Sequence, residues 1–110
     1  LRRGAAGAPE PLGDVLEIHG IRIDISRHEV WIDDEQILLS ATEFAILVFL
    51  ARNPGWVFSR NKIIDTVKGK DYPVTERSVD VQILGLRKKL GRKGKLVQTV
   101  RGVGYRLQAE

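Results

Sequence analysis

Arginine and lysine crowd the stretch Thr75–Leu107, TERSVDVQILGLRKKLGRKGKLVQTVRGVGYRL, in a spacing that suits recognition of a polyanion better than a reaction centre. At about 100° per residue, Arg77, Val81, Leu84, Gly85 and Lys88 share one side of a helix, with Ser78 at its margin. Val79, Ile83, Leu86 and Leu90 share the other. Val81 and Leu84 are unusual on a face that meets only water, and Gly85 costs about 1 kcal/mol against alanine. Two explanations stand. Small and apolar groups can approach thymine methyls in a major groove while arginine addresses guanine or phosphate. Alternatively, Val81 and Leu84 pack on another element and Gly85 permits a close crossing. Beyond the helix, a hairpin tip runs across Arg101–Gly104 and carries Arg101 beside Gly102 and Gly104. Both glycines read as structural, allowing a tight turn with positive φ.

The elements that must position these residues are legible along the chain. Leu1–Asp14, LRRGAAGAPEPLGD, lacks apolar periodicity and reads as a linker or frayed end. Val15–Ile18, Ile21–Ile25, Val30–Ile32 and Gln36–Leu39 are short β-branched runs split by turn residues, the pattern of an antiparallel meander. Ile21, Ile23 and Ile25 alternate with Arg22 and Asp24, so one face is buried and one wet. Ser40-Ala-Thr-Glu43 is a capping box with Leu39 and Phe44 at the staple positions, opening an apolar central helix that Asn53-Pro54-Gly55 ends. Trp56–Phe58 is a short strand or extended link, and Ser59 caps a second helix to about Val67, anchored by Ile63 and Val67. Lys68–Pro73 is a loop. Thr75 caps a third helix, with Val74 and Val79 as its staple, and Leu90-Gly91 stops it. Val97–Val100 and Tyr105–Leu107 pair as a hairpin. The expected fold is α+β: a winged helix-turn-helix with an N-terminal antiparallel β-meander, three helices and a C-terminal β-hairpin wing.

Composition narrows the function classes. The 110 residues, 43% of them hydrophobic, suffice for one compact core. No apolar run approaches the roughly 18 residues of a membrane span. There is no cysteine, which excludes disulfides and thiolate chemistry and suits a reducing cytoplasm. His19 and His28 lie in short polar turns without further ligands nearby, so neither metal nor cofactor is expected. Residues 1–58 carry a net charge of −4 and residues 59–110 a net charge of +8. Such asymmetry fits a face made for a polyanion, or a solvated cationic surface. An enzyme is not expected: there is no HExxH, no phosphate-binding glycine loop and no Ser/His/Asp order. Asp33 and Asp34 are adjacent in a turn and point apart, and Gly102-Val-Gly104 lacks the third glycine and following helix of a nucleotide loop.

Val79-Asp80-Val81, Leu86-Arg87-Lys88-Lys89-Leu90 and Gln98-Thr-Val-Arg-Gly-Val-Gly-Tyr-Arg106 resemble the C-terminal effector domain of OmpR/PhoB-type response regulators, the winged-helix DNA-binding domains of bacterial two-component systems. The likeness runs from about Leu16 to Leu107. It implies a sequence-specific double-stranded DNA-binding domain at residues 15–108, with a recognition helix at about 75–90 in the major groove and a wing at 97–107 in the minor groove. It also implies that residues 1–14 are a linker and tail of a missing receiver domain, Leu1-Arg2-Arg3 resembling the end of that domain's last helix. Arg77 and Arg87 match positions that relatives use for DNA contact, and Asp80 is placed on the helical wheel to orient Arg87. Thr99, Arg101 and Tyr105 match wing positions. Arg101 would enter the minor groove; Thr99 and Tyr105 would offer hydroxyls to phosphates, although Tyr105 reads equally as an aromatic at the core's edge. Lys89, Arg92, Lys93 and Lys95 would add diffuse attraction or solubility. In the resembling family the loop Lys68, Gly69, Lys70, Asp71, Tyr72, Pro73 touches RNA polymerase; here it is that or simple connection. Relatives often carry tryptophan where Lys68 stands, and arginine or serine at Leu84 and Gly85, so base preference does not carry over.

Partners implied by the likeness are direct-repeat DNA, RNA polymerase and a sensor kinase acting through the receiver, in the cytoplasm at the nucleoid. A winged-helix protein-interaction module using Val81 and Leu84 is the competing class; RNA binding is weaker, since no stacking aromatics sit on exposed strand pairs. The isolated domain is expected to be monomeric and to pair only on DNA. Analytical ultracentrifugation tests this, and a tight dimer without DNA would contradict it.

Overall fold

The computed structural model describes residues 15–67 and 75–109. The expectations placed on Leu1–Asp14, on Lys68–Pro73 and on Val74 lie outside these residues. The described chain forms an antiparallel meander of β1 (Val15–Ile18), β2 (Ile21–Asp24), β3 (Glu29–Ile32) and β4 (Glu35–Ile37). Three helices follow: α1 (Ala41–Arg52), α2 (Arg60–Val67) and α3 (Glu76–Leu90). A 3-10 turn (Gly91–Leu96) then leads into a hairpin of β5 (Val97–Val100) and β6 (Gly104–Leu107). This is the winged-helix arrangement expected from the sequence.

The meander is set by alternation and by two tight turns. Ile21 and Ile23 are fully buried and oppose Ile32 and Val30 across the β2–β3 register, so cross-strand pairs build the inner face. His19 and Gly20 both take positive φ (52° and 83°), as do Asp33 and Asp34 (50° and 69°). Two-residue connections of this hand match the twist of the strands they join. His28, in the β2–β3 turn, stacks its ring on Phe44 at 4.0 Å and ties the sheet to α1.

Helix α1 begins at the capping box. The Ser40 hydroxyl accepts from the Glu43 amide at 3.1 Å, and the Glu43 carboxylate accepts from the Ser40 amide at 2.9 Å. Ile46, Leu47 and Leu50 are fully buried, which makes α1 the central helix. Asn53 caps its end, donating from its side chain to the Phe49 carbonyl at 2.9 Å. Thr75 caps α3 by accepting from the Ser78 amide at 3.1 Å. Val79, Ile83, Leu86 and Leu90 are all buried on the inner stripe.

Two features depart from the sequence reading. The segment after Gly91 is a 3-10 turn held close to α3, where a side chain on Gly94 would stand 2.3 Å from the Arg87 carbonyl oxygen. In the hairpin, positive φ belongs to Gly102 (77°) and not to Gly104. Gly104 is required for a different reason. Phe58 forms a single-residue bridge to Tyr105, donating to its carbonyl at 2.9 Å and accepting from its amide at 3.0 Å. A Cβ on Gly104 would lie 2.0 Å from the Phe58 carbonyl oxygen.

These two glycines therefore separate steric from dihedral constraint. Gly104→Ala is expected to cost about 3 kcal/mol, because backbone must move. Gly102→Ala, with nothing within 4 Å of its Cβ, should cost about 1 kcal/mol for its dihedral alone. Chemical denaturation of both variants checks this, and equal losses would refute the steric assignment.

Candidate nucleic-acid interface

Helix α3 is held on both flanks, and its outward face is what the flanks leave free. On the wing side, Asp80 accepts from Arg60 Nε of α2 at 2.7 Å and from the Tyr105 hydroxyl of β6. One turn before its end, α3 reaches the wing again through Arg87, whose Nε donates to the Val97 carbonyl at 2.8 Å and whose terminal nitrogen donates to Thr99 Oγ1 at 2.7 Å. The guanidinium carbons of Arg60 and Arg87 lie 5.7 and 5.8 Å from the centre of the Tyr105 ring, within cation–π reach. On the opposite flank, Lys89 donates to the Glu43 carboxylate of α1 at 2.8 Å. A Cβ on Gly85 would meet the other Glu43 oxygen at 2.7 Å.

This geometry divides the residues singled out in the sequence. Arg77, Val81, Leu84 and Lys88 are exposed along the outward face, Val81 at 61% and Leu84 at 66%. They do not pack on another element. Gly85 does serve a close approach, the one to Glu43, so the two parts of the packing alternative come apart. Ser78 is half-buried at the helix start. Arg101 is exposed at the hairpin tip, where the Val103 amide closes a turn onto the Val100 carbonyl at 2.9 Å. Among the described residues, Arg77, Lys88 and Arg101 have no hydrogen-bond or ion-pair partner.

Thr99 is exposed and accepts from Arg87, keeping its own hydroxyl proton. Tyr105 is 5% exposed and gives its single proton to Asp80. That geometry favours the core-edge reading of Tyr105 over a phosphate donor. Asp80 does not orient Arg87, contrary to the helical-wheel expectation. Its carboxylate is taken by Arg60 and Tyr105, and backbone and hydroxyl acceptors on β5 orient Arg87 instead. Arg60 was missed altogether. Its partner lies on another helix, which periodicity within one helix does not reveal.

Electrostatics follow the contacts. The Tyr105 hydroxyl, then the Arg60 guanidinium, hold the Asp80 carboxyl below its ordinary range. Burial and the Asp80 carboxylate push the Tyr105 hydroxyl up. Burial would raise Glu43, but the Lys89 ammonium and the Ser40 amide outweigh it, and the net shift is downward.

A family profile described as "Transcriptional regulatory protein, C terminal" matches residues 34–107. The phosphate regulon transcriptional regulatory protein PhoB of Klebsiella pneumoniae is 39% identical over 104 residues, covering 93% of this chain and 45% of that protein. The response regulator ArlR of Staphylococcus haemolyticus is 43% identical over 98 residues, covering 87% of this chain and 45% of ArlR. The chain thus spans less than half the length of these curated relatives. Among solved structures, the DNA-binding domain of the response regulator AdeR, in complex with an intercistronic region, superposes with a TM-score of 0.75 at 35% identity, covering 86% of this chain and 99% of that one. The RstA DNA-binding domain of Klebsiella pneumoniae, in complex with the RstA box, gives 0.74 at 31% identity, covering 86% and 96%.

The depressed carboxylates set a direction for acid sensitivity. A carboxyl whose folded pKa lies below its unfolded value stabilises the fold above the unfolded pKa, and that contribution is lost as pH falls through the folded one. Glu43→Gln should cost about 1–2 kcal/mol near neutral pH. Its melting temperature should converge on that of the parent chain as pH drops below the ordinary carboxylate range. Thermal melts across that range test this, and a constant gap down to strong acid would be the contrary result.

Proposed function

The chain belongs to the C-terminal domain family of transcriptional regulatory proteins, the effector type of OmpR/PhoB response regulators, and from that premise we propose that it binds specific double-stranded DNA sequences to control transcription. In this reading α3 enters the major groove and the β5–β6 wing reaches the adjacent minor groove. One observation carries it: uncommitted Arg77 and Lys88 on α3 and uncommitted Arg101 on the wing belong to two elements that Asp80, Tyr105, Arg87 and Thr99 lock together. A rigid pair of cationic probes suits a duplex, whose grooves and phosphates keep fixed spacing. Ser78 and Thr99 supply hydroxyls for phosphates at the edges. Arg87 is half-buried and contributes mainly by fixing the wing, and Tyr105 does the same through Asp80.

The coarser assignment, a DNA-binding regulator domain, is supported by the family and by neighbours solved on DNA. Several finer parts extend it. The domain pairs on direct repeats in response to phosphorylation of a receiver domain by a sensor kinase. Residues 68–73, joining α2 and α3, contact RNA polymerase. The site of action is the cytoplasmic nucleoid, with no catalytic role. No helix among the described residues is long and apolar enough to cross a membrane.

A fluorescence-anisotropy titration with a direct-repeat duplex and a random duplex, at two salt concentrations, tests the reading. Affinity should fall steeply with salt. Arg101→Ala should weaken both duplexes and reduce the salt slope by about 1, as for loss of a phosphate-level contact. Arg77→Ala should weaken the preferred duplex by about 1–3 kcal/mol. Absence of binding at low salt would overturn the proposal in favour of a protein partner for exposed Val81 and Leu84.

A further inference from the structure

We propose that the middle of the α3 outward face recognises thymine through its 5-methyl group, with Val81 and Leu84 as the specificity-determining contacts. This rests on α3 being the major-groove helix. Along that face Arg77 stands in the first turn and Lys88 in the last, and between them the exposed side chains are Val81 and Leu84. Gly85 presents only backbone, and the Glu43 carboxylate occupies the space beside it. Ser78 and Gln82 are half-buried. Asp80 and Arg87, which could otherwise offer hydrogen bonds to base edges, are committed to Arg60, Tyr105, Val97 and Thr99.

The centre of the face therefore carries the apolar side chains of Val81 and Leu84 and the backbone at Gly85, with the polar side chains of Ser78 and Gln82 at its margin. Held against guanine or cytosine, Val81 and Leu84 would strip water from polar edges without replacing its hydrogen bonds, which is unfavourable. Thymine is the base whose major-groove edge offers an apolar group. Burying its methyl against Val81 or Leu84 recovers the exposure both side chains retain in the free protein. Cationic residues at both ends of the helix, and Arg101 on the wing, draw the apolar centre toward the phosphates that flank such a base.

The test uses a pool of duplexes with a randomised central segment, from which the 110-residue chain enriches its own sites. Enriched duplexes are remade with uracil replacing thymine. Base pairing and the minor-groove edge are unchanged, and only major-groove methyls are lost. Affinity should fall about fourfold for each contacted methyl, the equivalent of one buried methyl group. The double variant Val81→Ala, Leu84→Ala, checked for folding by circular dichroism, should bind thymine and uracil duplexes equally. Arg77→Ala should weaken both duplexes while preserving their ratio. Equal binding of thymine and uracil duplexes by the parent chain, or a thymine preference surviving in the double variant, would overturn the proposal. Failure to enrich any sequence would overturn the DNA-reading assignment as well, whereas enrichment without methyl preference removes only the methyl contact.

Discussion

Three side chains from three elements meet at the Asp80 carboxylate: its own on α3, Arg60 on α2 and Tyr105 on β6. The angle between the outward helix face and the wing depends on this junction. Asp80 sits at a partly exposed site, where a lone ion pair would contribute little. Here the carboxylate also accepts from a buried phenol whose ring packs in the core and lies near two guanidinium groups. The junction gains its fixity from that packing. Remove it and α3 would still fold, because Val79, Ile83, Leu86 and Leu90 bury it independently. The wing would lose its side-chain reference to α2.

The cationic half of the molecule is thereby sorted into two populations. Arg60, Arg87, Lys89 and Arg92 are spent inside the domain, on Asp80, the β5 strand, Glu43 and Asp33 respectively. Among the described residues, Arg77, Lys88 and Arg101 on α3 and the wing, like Lys62, Lys93 and Lys95 elsewhere, hold no such partner. A net charge summed over residues 59–110 does not distinguish these groups, yet only the second can meet a ligand without first breaking a contact. Glu43 serves in several contacts at once: one carboxylate completes a helix cap, holds Lys89 and lies where a side chain at position 85 would displace it.

Local signals made most of the fold legible. The Ser40–Glu43 box, the alternation at Ile21 and Ile23, the inner stripe of α3 and the stop at Leu90-Gly91 are all written within a few residues, and each is found in the structure. The site was less legible because its geometry is tertiary. The wheel placed Asp80 beside Arg87 but carried no information about Arg60 on a different helix. Gly104 reads in the sequence as a turn glycine because the Phe58 backbone that crowds it comes from far along the chain. Tyr105 reads two ways in the sequence because the partner of its hydroxyl, Asp80, is distant along the chain. The 3-10 turn has no apolar period to announce it. It exists because Gly94 lets the chain lie on the Arg87 carbonyl.

The single-residue bridge at Phe58 also bears on the order of assembly. The hairpin can zip locally, as can each helix, with little loop-closure entropy. Joining Phe58 to Tyr105 instead waits until α2, α3 and the turn after them have brought distant parts of the chain together. Contacts of such long sequence separation form slowly relative to local ones. The wing is thus fast to fold as a hairpin but late to be anchored, and its anchoring buries Val97, Tyr105 and Leu107 in the core. A domain built this way forms its hairpin and its helices separately and fixes their mutual position only when this bridge and the Asp80–Tyr105 contact close.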